Sequence, residues 1–233
     1  MSRAERVCLA LDFSDGAEVL AAARRFGPKV GWLKIGLEAF VAGGPALVAE
    51  AARQARVFLD LKFHDIPNTV AGAVASAARS GASMLNVHAS GGRAMLEAAR
   101  RALGDAPGRP KLVAVTLLTS LDARALADLP MAGHPEGIAR RLSILAKECG
   151  LDGVVCSPED VALIRAACGP DFFTVVPGIR PEGAVAGDQK RIATPRAALA
   201  AGADLLVVGR PVTRAPDPDA ALAALVREIE SPP

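Results

Sequence analysis

Eight short apolar runs alternate with eight helical patterns along the chain, and this alternation constrains the fold more than any other feature. The runs are nearly continuous and rich in β-branched residues, which is typical of parallel strands covered on both faces. We predict strands over 7–13, 32–37, 57–63, 84–88, 112–118, 153–156, 173–176 and 205–208. We predict helices over 15–26, 38–54, 67–80, 92–103, 135–149, 158–168, 195–201 and 217–230.

The spacing of these units favours a closed barrel. Eight units in 233 residues leave about 29 residues each, close to the minimum for a strand, a helix and two loops. We therefore predict a (β/α)8 TIM barrel that forms a single domain over residues 1–233. An open doubly wound sheet is the alternative, but the GxGxxG turn expected after its first strand is absent. Leu11 to Gly16 occupy that place, where Ser14 or Asp15 is suited to cap the first helix.

Composition and charge argue against two classes of function. The 27 lysines and arginines nearly balance the 25 aspartates and glutamates, which gives a net charge of +2. Binding to nucleic acid by phosphate neutralisation is therefore not expected. No apolar stretch reaches the roughly 18 to 20 residues that a membrane span requires, and the N-terminus lacks the character of a signal peptide. We predict a cytoplasmic protein that does not contact membranes.

The cysteines give no sign of a metal site. Cys8, Cys149, Cys156 and Cys168 show neither CxxC nor CxxH spacing, and most of them lie in apolar surroundings. We therefore expect buried thiols rather than disulfides or metal ligands.

Polar residues interrupt or follow several of the apolar runs. In a (β/α)8 barrel the reactive groups lie at the C-terminal ends of the strands, so residues at these positions are expected to converge on one rim. Any one of them could be a solvated strand end, but their joint occurrence favours a functional site. The set is Asp12, Lys34, Asp60, Lys62, His64, Asn86, His88, Gly209 and Arg210.

The third strand carries the most informative pattern. Period-two geometry predicts that Asp60, Lys62 and His64 share one face and point into the barrel. A structural salt bridge is the alternative explanation. Buried charges cost several kcal/mol each unless they are well compensated, so they are more often kept for chemistry. Asp65 adds a second carboxylate next to Lys62.

These neighbours limit what Lys62 can do. A lysine that forms a Schiff base must be neutral, whereas adjacent carboxylates favour the charged ammonium. Lys62 is therefore predicted to donate a proton to a developing carbanion. Asp60 and Lys34 would extend an alternating array that repels a substrate carboxylate and stabilises the carbanion left after its loss. The spacing also allows the carboxylates to bind Mg²⁺ for an aldol or enolate reaction.

The last two units predict a phosphate site. Barrels often bind phosphate through the loops after strands seven and eight. Pro177 to Arg180 follow the seventh strand, and Gly209 and Arg210 follow the eighth. The glycines would let the backbone approach phosphate oxygens, and arginine supplies charge. The loop over 180–195 is long for such a connection and is predicted to close over a phosphorylated ligand.

The ten-residue run from Asp60 to Thr69 resembles the signature of the orotidine 5′-phosphate decarboxylase family. Seven further segments occur in the order of that family, so the resemblance spans essentially the whole chain. They are LALD at 9–12, LKIG at 33–36, NVHASGG at 86–92, VTLLTS at 115–120, DGVVCS at 152–157, PGIRP at 177–181 with GDQ at 187–189, and VGRP at 208–211.

The resemblance implies a (β/α)8 homodimer with shared active sites that uses no metal or organic cofactor. Its substrate would be orotidine 5′-phosphate and its product UMP. By position, Lys62 would protonate C6 of the pyrimidine, and Lys34, Asp60 and Asp65 would complete the charged array. Asp65 would reach into the site of the partner subunit.

The resemblance also implies a set of substrate contacts. Asp12 and Lys34 would hold ribose hydroxyls, and Thr69 would do so from across the dimer. The pyrimidine would meet Thr119 or its neighbour Ser120. The remaining implied contacts are Gln189 to base and phosphate, Gly209 and Arg210 to phosphate, and Arg180 near the ligand.

Two other functions remain open from the sequence. One is a Mg²⁺-dependent aldolase or sugar-phosphate decarboxylase on the same barrel, and the other is a non-catalytic protein that binds a phosphate ligand. For His64 and His88 we predict neutral hydrogen-bonding roles rather than metal ligation.

Overall fold

The computed structural model describes residues 4–181 and 191–230, and its eight strands close into a parallel barrel in chain order. Val7 of the first strand is in register with Leu206 of the last, which completes the ring. The predicted (β/α)8 barrel is confirmed. The strands are β1 (Val7–Ala10), β2 (Trp32–Gly36), β3 (Arg56–Phe63), β4 (Met84–His88), β5 (Lys111–Val115), β6 (Gly153–Val155), β7 (Phe173–Val176) and β8 (Leu205–Val208).

Each of the eight predicted helices is present in the described residues, and two further helices of four residues each accompany them. The short helices α5 and α9 were not predicted because one turn is too short to show a helical period. The helices are α1 (Gly16–Phe26), α2 (Leu37–Ala52), α3 (Pro67–Ala78), α4 (Gly92–Leu103), α5 (Ala123–Leu126), α6 (Pro135–Glu148), α7 (Val161–Cys168), α8 (Pro195–Ala200), α9 (Arg210–Thr213) and α10 (Pro218–Glu230).

Two helix details differ in how well the sequence predicted them. Asp15 caps α1, as one of the two predicted choices, and its Oδ1 accepts a hydrogen bond from the Ala17 amide at 2.8 Å. The helix predicted over 38–54 is present as α2 but is kinked, because Gly44 has a φ of +60° and Pro45 follows it. This backbone is accessible to glycine and kinks α2.

The apolar residues form two main cores, one between the barrel and its helices and one inside the barrel. Alternate strand residues fill the inner core, among them Trp32, Phe58 and Met84. A Cβ on Gly153 would lie 2.0 Å from the Phe173 carbonyl oxygen, so only glycine fits at this point of β6. The four cysteines are buried, as predicted, and occur as free thiols.

Towards the C-terminal ends of the strands, the inner core changes from apolar to polar on one side. Lys34 of β2, Asp60 of β3 and Asn86 of β4 are buried there. β1 and β5 end earlier than predicted, at Ala10 and Val115, so the residues that follow them belong to loops on this rim. Within residues 4–181 and 191–230, none of the helices combines the length and apolar character needed to cross a bilayer.

Candidate active site

A cavity of about 300 Å³ opens at the C-terminal ends of the strands. Its polar side brings together eight of the predicted site residues, and valines of β5, β6 and β8 supply an apolar wall. The eight are Asp12, Lys34, Asp60, Lys62, Thr119, Arg180, Gly209 and Arg210. The predicted convergence of nine strand-end residues on one rim is confirmed for six of them, whereas His64, Asn86 and His88 do not line the cavity.

Carboxylates and ammonium groups alternate across the floor of this cavity. The Nζ atom of Lys34 lies 2.9 Å from Asp12 Oδ1 and 3.4 Å from Asp60 Oδ2. The Nζ atom of Lys62 donates a hydrogen bond to the other Asp60 oxygen, Oδ1, at 2.6 Å. The order Asp12, Lys34, Asp60, Lys62 therefore places each inner charge between two groups of opposite charge.

Lys34 and Asp60 remain charged although each is only 8% exposed. Burial alone lowers the pKa of Lys34, but the Asp60 and Asp12 carboxylates outweigh it and hold that pKa above 10.5. Burial alone raises the pKa of Asp60, but the charges of Lys34 and Lys62 and hydrogen bonds from Lys62 and Asn86 bring it below 3.8. A fixed buried anion therefore faces the cavity at neutral pH.

The backbone of β3 departs from regular strand geometry at Lys62. Its φ is +53°, and among the described residues other than glycine no second one has a positive φ. Leu59 is in register with Leu85 and Phe63 with Val87, so four steps along β3 match two along β4. The Lys62 amide donates to Asn86 Oδ1 at 2.8 Å.

The alternation predicted along β3 places Asp60 and Lys62 correctly at the cavity, but it is wrong at His64. Because the strand bulges at Lys62, His64 does not follow Lys62 into the cavity. His64 is exposed, and its ring lies 5.4 Å from that of His88. Burial, followed by the charges of His64 and Lys62, lowers the pKa of His88 below 6.5, although the charge of Asp60 acts in the opposite direction. The lowered pKa favours the predicted neutral imidazole.

The part of the cavity beside β7 and β8 contains the residues predicted to bind phosphate. Gly178 and Arg180 follow β7, and Gly209 and Arg210 follow β8. Arg180 is buried and donates to the Ile179 carbonyl oxygen at 2.9 Å. A Cβ on Gly209 would approach Ala10 Cβ to 3.3 Å, so a side chain there would narrow the cavity between β1 and β8.

Two of the site residues implied by the resemblance, Asp65 and Thr69, do not line this cavity. Asp65 and Thr69 are exposed on the connection to α3 and its first turn, and Asp65 Oδ1 accepts from the Ile66 amide at 2.6 Å. Gln189 lies outside the described residues. Thr119 and Ser120 both line the cavity, so both predicted alternatives for the pyrimidine contact reach it. Among residues 4–181 and 191–230, no group of three His, Cys, Asp or Glu side chains is arranged to hold a metal.

Asn86 is a polar residue of β4 for which the sequence pattern predicted no role. Asn86 is buried, and its Nδ2 donates to Asp60 Oδ1 at 2.7 Å while its Oδ1 accepts from the Lys62 amide. The available signal was a lone amide two residues after the inward-facing Met84. The pattern predicts that Asn86 faces inward but not that it contacts both residues.

The comparisons with known proteins agree on one family. The model of a family described as orotidine 5′-phosphate decarboxylase / HUMPS matches residues 5–225. A protein named orotidine 5′-phosphate decarboxylase from Anaeromyxobacter sp. (strain K) is 56% identical, over 97% of this chain and 98% of its own length. One of the same name from Chromobacterium violaceum is 54% identical, over 96% of this chain and 91% of its own length. The crystal structure of orotidine 5′-phosphate decarboxylase from Lactobacillus acidophilus superposes with a TM-score of 0.83 at 36% identity, covering 97% of this chain and 99% of the other.

Proposed function

The chain belongs to the orotidine 5′-phosphate decarboxylase family, and we propose that it converts orotidine 5′-phosphate to UMP with Lys62 as the proton donor. The observation that carries the proposal is the alternating array Asp12, Lys34, Asp60 and Lys62 on the floor of the cavity. The names of the relatives favour this reaction over a Mg²⁺-dependent aldolase or sugar-phosphate decarboxylase.

The reaction assigns a distinct task to Lys62. The bond from C6 of the pyrimidine to the carboxylate breaks, its electron pair stays on C6, and carbon dioxide leaves. C6 then takes a proton from the Lys62 ammonium, and the resulting neutral amine regains a proton from water. Asp60, which accepts a hydrogen bond from that ammonium, holds it at the reacting face of the cavity.

Asp60 also acts on the ground state of the reaction. Its lowered pKa keeps it ionised in the cavity, where the substrate carboxylate is also negative. Repulsion between the two carboxylates disappears when carbon dioxide leaves, so it favours the transition state over the bound substrate. Lys34, between Asp12 and Asp60, would hold this anion in place and contact the ribose with Asp12.

The part of the cavity beside β7 and β8 would bind the phosphate. The Arg210 guanidinium would supply charge, and the backbone at Gly209 would approach the oxygens closely because no side chain intervenes. Arg180 would lie near the ligand, with Gln189 at base and phosphate. Thr119 or Ser120 would donate to the pyrimidine.

We assign Asp65 and Thr69 to the active site of a second copy of the chain in a homodimer. Both residues are exposed and lie outside the cavity of their own chain. Large apolar side chains are exposed on the same rim, Leu37 and Val41 on α2 and Ile66 next to Asp65. Burial of this apolar surface in a dimer would bring Asp65 to a partner cavity.

One assay tests the proton-donor assignment. Loss of orotidine 5′-phosphate is followed by its absorbance, with EDTA present, for the wild type and Lys62→Ala. The variant should lose about 10²–10⁴-fold in kcat, the usual contribution of a positioned general acid. Lys111→Ala, which removes an exposed strand lysine far from the cavity, is the matched control and should retain full activity.

The result also separates the alternatives. Equal rates for Lys62→Ala and wild type would refute the donor role. UMP binding without turnover would indicate a non-catalytic binding protein, and turnover of a sugar phosphate that EDTA abolishes would indicate the Mg²⁺-dependent enzyme.

A second experiment tests the shared site. Lys62→Ala and Asp65→Ala proteins are mixed, and heterodimers are verified by mass spectrometry. Each heterodimer would contain one cavity with both native residues, so part of the activity should return. Confirmed heterodimers that stay inactive would contradict the sharing.

The proposal includes a single domain over residues 1–233 and a location in the cytoplasm. Four free thiols support a reducing compartment.

A further inference from the structure

We propose that Asn86 is a positioning residue, which fixes both the backbone of Lys62 and the carboxylate of Asp60 in the arrangement that the reaction uses. Asn86 is fully buried on β4 and does not line the cavity. Any effect on substrate must therefore pass through its two neighbours. The inference rests on the roles proposed above for Lys62 and Asp60.

The first contact supports an unfavourable backbone conformation. At a φ of +53° the Cβ of Lys62 crowds its own carbonyl, a conformation that residues other than glycine rarely adopt. In the bulge between β3 and β4, the Lys62 amide donates to the Asn86 side chain at 2.8 Å. This hydrogen bond stabilises the left-handed backbone at Lys62, from which the Lys62 side chain reaches Asp60.

The second contact fixes the rotation of the Asp60 carboxylate. Asp60 Oδ1 accepts from Asn86 Nδ2 at 2.7 Å and from Lys62 Nζ at 2.6 Å. With Oδ1 held in this way, Oδ2 faces Lys34 at 3.4 Å. Both lysines therefore keep their positions through one carboxylate, whose orientation depends on the buried amide.

Only a short amide can make both contacts. Asn86 accepts with Oδ1 from a backbone N–H and donates with Nδ2 to a carboxylate, so the two neighbours also fix which way the amide points. Aspartate matches its size but cannot donate when ionised, and alanine or leucine can neither accept nor donate. Each substitution therefore removes a defined part of the arrangement.

Asn86→Asp is the diagnostic variant. The new carboxylate can still accept from the Lys62 amide, but it lies against Asp60 where the amide donated. Two adjacent carboxylates cannot both ionise readily, so the pair should titrate with one raised macroscopic pKa. Below that pKa the added carboxyl is protonated and can donate to Asp60 again. The other charged or titratable groups nearby are common to variant and wild type; they are Cys8, Asp12, Lys34, Lys62, His64 and His88.

The expected result is a change in kcat and in its pH profile. At pH 8, kcat of Asn86→Asp should fall about 100-fold, the loss typical of a misplacement of about 1 Å at a reacting group, while KM stays within about threefold. The ratio of variant to wild-type kcat should rise as pH falls. Asn86→Ala should lose kcat to a similar extent without any recovery at low pH, because it cannot donate at any pH.

A buried residue outside the site provides the matched control. Thr174 of β7 is also fully buried and hydrogen-bonds Asp204, away from the cavity. Thr174→Val should lower the free energy of unfolding but keep the wild-type kcat and pH profile. A purely structural role for Asn86 would make its variants behave in the same way.

Each outcome decides between the proposals. Activity in the wild type and its loss in Lys62→Ala would support the proposed function. If Asn86→Asp then has the same kcat and pH profile as the wild type, the Asn86 inference alone is refuted. If Asn86→Asp does not fold, wild-type kcat in Asn86→Ala refutes it. If the wild type has no turnover, the proposed function fails and the inference fails with it.

Discussion

The left-handed backbone at Lys62 gives a stability prediction that needs no substrate. Both Lys62→Ala and Lys62→Gly delete the ammonium and its hydrogen bond to Asp60. They differ only in whether a Cβ remains at a φ of +53°. The glycine variant should therefore be the more stable of the two, although glycine normally destabilises a strand relative to alanine.

The magnitude follows from two opposing terms. A Cβ in the left-handed region costs roughly 1–2 kcal/mol, and glycine loses about 0.5–1 kcal/mol through the greater freedom of its unfolded chain. The difference favours Lys62→Gly by about 0.7 kcal/mol. At Lys111, a strand lysine with a negative φ, only the second term acts. The free energy of unfolding of Lys111→Ala should therefore exceed that of Lys111→Gly by about 0.5–1 kcal/mol.

Urea denaturation of the four variants, followed by circular dichroism, measures these differences at one pH and protein concentration. The sign of the difference between alanine and glycine should be opposite at the two lysines. An alanine variant at position 62 that equals or exceeds the glycine variant in free energy of unfolding would refute the reasoning. It would mean that the bulge relaxes once the lysine side chain is gone.

Two further perturbations follow from particular contacts. Gly36→Ala would place a Cβ 3.0 Å from Lys34 Nζ and 3.2 Å from Asp12 Oδ1, so kcat/KM should fall about tenfold or more. Gly137→Ala in α6 meets only ordinary contacts and should leave kcat/KM unchanged. Equal kcat/KM values for the two variants would contradict the steric argument. Burial and neighbouring positive charge hold the pKa of His88 below 6.5, so the unfolded chain binds more protons as pH falls through 6.5, and the free energy of unfolding should decrease from pH 7 towards pH 5. His88→Gln should reduce this slope, and an unchanged slope in urea titrations would assign it to other groups.

Most of the barrel was predictable because its signals are local and repeated. The strands β4, β7 and β8 begin and end where predicted, since their apolar runs end at His88 or are followed by Pro177 and Gly209. The floor of the cavity was predictable for the same reason. Asp12, Lys34 and Asp60 follow or interrupt apolar runs on consecutive strands, and parallel strands bring such positions to one rim.

The geometry of β3 was not predictable from pattern alone. A period of two assumes that every residue extends the strand, and a positive φ is normally signalled by glycine, which is absent from β3. The bulge depends on contacts from β4, a strand that follows about twenty residues later. The side-chain directions of His64 and the residues after it depend on that bulge, so their placement could not be predicted from the sequence.

The structure also bears on which of two lysines should donate the proton. Lys34 lies between two carboxylates, and its side chain is 10% exposed. In the described part of the chain Lys62 pairs with one carboxylate, Asp60, and its side chain is 30% exposed at the cavity. A donor must approach the reacting carbon and be free to lose its proton, whereas a raised pKa opposes that loss at Lys34. In the proposed reaction, the left-handed backbone at Lys62 therefore directs the ammonium that donates the proton to the cavity.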